Sequence, residues 1–179
     1  MHEKRIISEL YISEVKNKGI SAKLHSNLPK EFKEFLRKRG SKYYLKPSAR
    51  KKIKVVLTGG IFDVIHMGHV FTLRNAKKHG DVLVAVVGRD EHIKKKNRKP
   101  IHSHDYRAMM VEFLKSVDVA ILGKKKMKDT LKLVKPDVIV YGPDQKAILK
   151  PKGVKVVKLK NLLNPDKFKT TYIVKKLGL

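Results

Sequence analysis

From Ile53 onward, short apolar runs alternate with amphipathic stretches, and this alternation constrains the chain more than any other feature. The runs are rich in Val and Ile and suit strands covered on both faces, while the intervening segments carry helical periodicity. The spacing predicts strands at Ile53–Leu57, Val82–Val87, Val119–Leu122, Val138–Tyr141 and Val154–Leu159. Helices are expected at Gly68–His79, Ser103–Val117, Met127–Val134 and Thr170–Leu177, with Pro136 stopping the third. A β-α-β-α order predicts the α/β class: a Rossmann-like, doubly wound, five-stranded parallel sheet whose ligand crevice lies at the carboxyl ends of the strands.

Residues 1–52 have a different pattern, with no run that reads as a buried strand, and are expected to form a small, basic, helical N-terminal extension before a catalytic domain at 53–179. Ile6, Ile7, Leu10 and Val15 give one apolar helix face. A second helix is predicted over Pro29–Arg39 through Phe32, Phe35 and Leu36, ended by Gly40.

The whole chain has 43 Lys and Arg against 16 Asp and Glu, a net +27, of which residues 1–52 supply +10. Such a field favours anionic partners: phosphates, nucleic acid or an acidic membrane surface. Heat-adapted surfaces are also Lys-rich, but they balance Lys with Glu, which this chain does not. With no cysteine, disulfides, thiolate zinc sites and cysteine nucleophiles are excluded. No stretch approaches the roughly 20 apolar residues of a membrane span, and the first residues lack a secretory apolar block, so a cytoplasmic protein is expected.

The chemistry converges on Gly59-Gly60-Ile61-Phe62-Asp63-Val64-Ile65-His66-Met67-Gly68-His69, at the exit of the first long strand and the start of its helix. Exposed amides, close-approach glycines and the positive end of a helix dipole all favour an anion there. His66 and His69 are three apart, so on a helix they share a face, with Gly68 leaving room, and both imidazoles can grip one phosphate. The same two residues are compatible with a helix cap or a metal site. Neither a P-loop nor a G-x-G-x-x-G fingerprint is present. Asp63 suits an orienting role in the turn, a magnesium contact or a helix cap.

This run resembles the G-[TV]-F-D-x-x-H-x-G-H motif of the cytidylyltransferase family, within the superfamily that includes class I aminoacyl-tRNA synthetases. Arg89-Asp90-Glu91, the basic run Lys94–Lys99, His102-Ser103 and Arg107 resemble the family's D-E-x-x-x-x-K-x-K segment and its following helix. Tyr141-Gly142-Pro143-Asp144-Gln145 resembles its G-x-D segment, and Lys169-Thr170-Thr171 stands where relatives carry a Ser/Thr-rich triphosphate motif. Together the similarity spans about residues 53–179.

The resemblance implies a nucleotidyltransferase. His66, His69 and Lys96 would be catalytic, and Gly59, Gly60, Ile61, Phe62, Asp63, Gly68, Arg98, Arg107, Lys115, Tyr141, Gly142, Asp144, Lys169, Thr170 and Thr171 would bind nucleotide. It also implies Mg²⁺ carried with the triphosphate, a phosphorylated small-molecule acceptor and a homodimer. Three departures stand out. Ile61 replaces a common Thr, the R-T-x-G-I-S pattern is absent near 164–171, and Pro143 alters the exit of the fourth strand. The His102-Ser103 spacing resembles that of cytidylyltransferases acting on small polar phosphates, so the resemblance implies CMP transfer to such an acceptor, with FMN adenylylation from ATP as the alternative. From another class, the basic helices followed by Tyr43-Tyr44-Leu45 suggest a trimmed winged helix, although a packing or dimer-forming role is preferred over nucleic-acid binding.

Overall fold

In the computed structural model, which describes residues 2–94, 99–160, 170–176 and 178, the chain opens with α1 (His2–Asn17). There follow β1 (Ile20–Ser21), α2 (Ala22–Ser26), α3 (Lys30–Lys33), β2 (Leu36–Arg39), β3 (Lys42–Leu45) and α4 (Pro47–Arg50). The three strands form an antiparallel sheet in the order β1-β3-β2. Strand β3, which carries Tyr43 and Tyr44, lies at the centre of this sheet.

The expected helix over Pro29–Arg39 is corrected to one helical turn, α3, followed by a strand. Leu36 pairs with Leu45 across the hairpin and both are buried, so cross-strand pairing and burial outweigh local helical periodicity. Gly40, with φ of +61°, opens a two-residue connection in which Arg39 pairs with Lys42. The Gly40-Ser41 turn signal was in the sequence; it reads equally well as a helix stop.

The second part runs β4 (Val55–Gly60), α5 (Met67–Lys77), β5 (Val82–Val87), α6 (Glu91–Lys94), α7 (His104–Glu112), β6 (Val119–Leu122), α8 (Met127–Val134), β7 (Val138–Tyr141), β8 (Lys155–Lys158) and α9 (Thr170–Lys176). The five strands form one parallel sheet in the order β6-β5-β4-β7-β8, the expected doubly wound arrangement. The order reverses between β4 and β7, which opens a crevice at their carboxyl ends.

Alternation along the strands sends neighbouring residues to opposite faces. Val56, Leu83, Ala85, Val138 and Val140 pack with Leu73 and Ala76 of α5 and Val111 of α7. Val55, Leu57, Val82, Val84, Val119 and Ile139 pack on the other face with Val134 of α8 and with Ile6, Ile7, Leu10, Tyr11 and Val15 of α1. Helix α1 therefore supplies part of a covering layer of the parallel sheet. Its attachment is also polar: the Tyr11 hydroxyl donates to the Val134 carbonyl (2.6 Å), and Lys4 pairs with Asp81 (3.1 Å). Among the described residues no helix is long and apolar enough to cross a membrane.

Candidate active site

Strand β4 delivers Gly59 and Gly60 to the crevice, and the chain turns sharply before α5 begins at Met67. Phe62 makes that turn in a left-handed conformation (φ 56°), with its ring buried against Gly60. A Cβ on Gly60 would stand 2.7 Å from that ring, so the turn requires glycine there. Residue His66 is the extended N-cap of α5, and the amides of His69 and Val70 bond its carbonyl at 2.9 and 3.2 Å. One helical turn then brings the His66 and His69 rings into a stack with centroids 3.8 Å apart, and Phe62 closes on His69 from behind at 4.9 Å.

Burial, then the neighbouring His66, lowers the His69 pKa to about 3, against a smaller opposing hydrogen bond with the Val64 backbone. Burial also lowers that of His66, opposed by the nearby Asp144 carboxylate. Both shifts favour the neutral form of the rings near pH 7.

Asp63 is fully buried, and its Oδ1 accepts the amides of Ile101 (3.0 Å) and His102 (3.2 Å). It orients the turn by tying it to the segment before α7; the N-cap position of α5 belongs to His66. Among the described residues no group of three or more His, Asp or Glu is placed to hold a metal ion.

Arg107, expected to bind nucleotide, is fully buried and gives its donors to protein: the carbonyls of Ile61, Gly88 (2.8 Å) and His102 (3.1 Å), and the Asp90 carboxylate. It fixes the exits of β4 and β5 and the entry of α7. Lys115 is displaced further from the expectation. It follows α7 on the side of the sheet where Asp118 accepts the Leu83 amide, at the amino ends of the strands and away from the crevice. A helix that starts at the site and runs back along the sheet carries its last residues to the opposite edge.

At the β7 exit, Gly142 is buried, Tyr141 half-buried and Asp144 exposed. Gln145, which sequence reasoning passed over, bridges the two exits: its Oε1 accepts the Gly142 amide (2.9 Å) and its Nε2 donates to the Gly59 carbonyl (2.7 Å). Thr170 and Thr171 open α9, while Lys96, Arg98 and Lys169 lie outside the described residues.

A cleft of about 460 Å³ opens beside the turn, between the exits of β4, β5, β6 and β7. Its walls are largely apolar (Leu57, Ile61, Met127, Leu131, Tyr141, Ile148 and Leu149), and Arg89, Lys124, Lys125 and Lys146 also line it. Gly59, Gly60 and Ile61 belong to both cleft and turn; the two histidines stand on the α5 side. Lys124 and Lys125 reach the cleft through the return of β6 to the crevice. The arrangement places a glycine-rich turn at a helix start beside an apolar recess wide enough to cover a ring system.

Residues 57–176 match the model of the cytidylyltransferase-like family. An FAD synthase from Pyrococcus horikoshii is 41% identical over 139 residues, which cover 71% of this chain and 93% of that protein. One from Aciduliprofundum boonei is 45% identical over 132 residues (68% and 89%), and one from Pyrococcus abyssi is 37% identical over 142 residues (73% and 95%). Among solved structures, the lipopolysaccharide core biosynthesis protein from Thermoplasma volcanium is 39% identical, with a TM-score of 0.56 over 60% of this chain and 96% of that one. With its crevice, its paired histidines and these relatives, the chain belongs to the cytidylyltransferase-like family and is a nucleotidyltransferase.

Proposed function

We propose that the enzyme is an FMN adenylyltransferase, joining AMP from ATP to the phosphate of FMN to give FAD and pyrophosphate. The apolar cleft of about 460 Å³ beside the phosphate-binding turn carries this reading, because a flavin ring system is large, planar and largely apolar. A polyol phosphate, the acceptor favoured from the His102-Ser103 spacing, has no group that would fill such walls. The FAD synthase relatives support the same choice over CMP transfer.

In this reading the FMN phosphate oxygen attacks the α-phosphorus in line, and pyrophosphate leaves from the opposite side. A phosphate monoester, with a second pKa near 6, is already largely ionised and requires little base assistance. The difficult element is negative charge on the α-phosphoryl and leaving oxygens, which placed N–H donors and cations stabilise. His66 and His69 supply imidazole nitrogens at the turn that donate to phosphate oxygens once protonated in the triphosphate's negative field, Gly60 permits close backbone approach, and Arg107, Asp63 and Gln145 hold the loops in place. Lys96, Arg98 and Thr170 complete the cationic and hydroxyl set in this proposal. Magnesium fits as an ion carried by the triphosphate oxygens, where it would offset their charge. Incubating the protein with ATP or CTP crossed with FMN or glycerol phosphate tests the reading. FAD and pyrophosphate should appear only with ATP and FMN, and pyrophosphate released instead from CTP with glycerol phosphate would reverse it.

A homodimer belongs to the same proposal, as does a cytoplasmic location. Tyr106, Met109 and Phe113 share one side of α7 and its end while remaining 52%, 57% and 86% exposed, which supports a second copy packing there. Light scattering on Phe113→Asp is expected to show a monomer where the wild type is a dimer.

A further inference from the structure

A second cleft, of about 220 Å³, lies at the junction of the N-terminal unit with α8. Arg37 and Arg39 of β2 are two residues apart and share a face of the antiparallel sheet with Tyr44, the cross-strand partner of Arg37. Lys132 and Lys135, at the carboxyl end of α8, stand on the other wall. Glu14 is the only carboxylate in the lining, and it already accepts the Leu45 amide at 2.7 Å.

The carbonyls at this end of α8 would ordinarily repel an anion. Three of them are satisfied from within: Tyr11 donates to the carbonyl of Val134, Arg50 to that of Lys135 (2.7 Å) and the Lys135 amide to that of Leu131 (2.7 Å). Four cations facing a recess with one committed carboxylate focus a positive potential into it. Two arginines on one strand face suit the fork geometry of phosphate oxygens. From these features we infer that the junction cleft is a binding site for a phosphate or diphosphate group. Its volume is below the roughly 300–1,000 Å³ of pockets that enclose whole drug-sized ligands, so it takes a head group. Duplex DNA fits less well: α3 spans only Lys30–Lys33, with Glu31 exposed within it and Glu34 exposed at its end. Met127 and Leu131 of α8 line the catalytic cleft while Lys132 lines this one, so a single helix separates the two ligands.

Calorimetric titration of the full-length protein with inorganic pyrophosphate is expected to resolve two classes of site. R37Q/R39Q should weaken one class by about tenfold or more, with an unchanged thermal midpoint, and K132Q should weaken the same class from the opposite wall. H69A should affect only the other class. ADP competition separates a nucleotide's diphosphate from the free ion, and displacement from either source supports the site. Two-class binding that survives intact in R37Q/R39Q overturns the inference. An equal loss in K23Q/K30Q, whose lysines lie outside the cleft, does so too, because the general field would then hold the anion. A loss confined to duplex DNA, with pyrophosphate binding unaltered, reassigns the face to nucleic acid and also overturns it. None of these outcomes depends on which triphosphate or acceptor the enzyme uses.

Discussion

The guanidinium of Arg107, wholly shielded from solvent, is ion-paired with Asp90, and through that pair the exits of two strands and the start of α7 are held as one unit. Burial tends to raise the Asp90 pKa, but hydrogen bonds from Arg107 and His104 outweigh it and hold the carboxyl below its ordinary range. Replacing Arg107 with Met would leave the carbonyls of Ile61, Gly88 and His102 without the guanidinium donors and Asp90 with only His104 as a side-chain partner. The expected cost is about 3–5 kcal/mol, and the melting temperature should fall by roughly 10 °C. Lys at this position should rescue little, because an ammonium cannot reproduce the fork. Calorimetric melting of both variants checks this.

His69→Ala removes a donor from the phosphate-binding turn without touching the sheet. Turnover measured by pyrophosphate release should fall about 10²–10³-fold while the melting temperature changes little. Activity close to that of the wild type would remove the paired-imidazole mechanism.

The depressed pKa of His69 also shapes acid stability. A group that binds protons more readily unfolded than folded destabilises the fold as pH drops below its unfolded value, here from 6.5 towards about 3. At pH 5 the penalty is about 2 kcal/mol, from 1.36 kcal/mol per unit. Melting temperatures between pH 7.5 and 5 should therefore fall less steeply in His69→Asn than in the wild type, and parallel curves would contradict the burial argument.

Ile148 and its neighbour Leu149 line the apolar cleft, and Ile148 is 67% exposed without ligand. If a flavin ring covers it, Ile148→Ser should raise KM for FMN by about tenfold at nearly constant kcat and leave KM for ATP unchanged. Steady-state kinetics with each substrate varied in turn distinguishes the two.

Leu10 of α1 is 2% exposed within the core shared with the parallel sheet. Leu10→Ala should destabilise the whole chain by about 2–5 kcal/mol in a single transition. Two separate transitions, with only the first shifted, would show that the N-terminal unit folds independently.

Local pattern alone determined much of this molecule. Val82–Val87, Val119–Leu122 and Val138–Tyr141 are strands where the apolar runs placed them, because a strand buried on both faces leaves its signature in consecutive residues. The geometry of the turn was equally legible, since Gly60, His66 and His69 lie within a single strand-turn-helix unit and their spacing brings the two rings together. Only the tertiary structure decided what depends on partners outside each local run. It paired Leu36 with Leu45 and turned an expected helix into a hairpin. It buried Arg107 as a brace and carried Lys115 to the far edge of the sheet. It also laid α1 over the strands, so that a segment expected as an appendage contributes to the core. Periodicity records that a face is apolar; which surface covers it is set by packing among elements far apart in the chain.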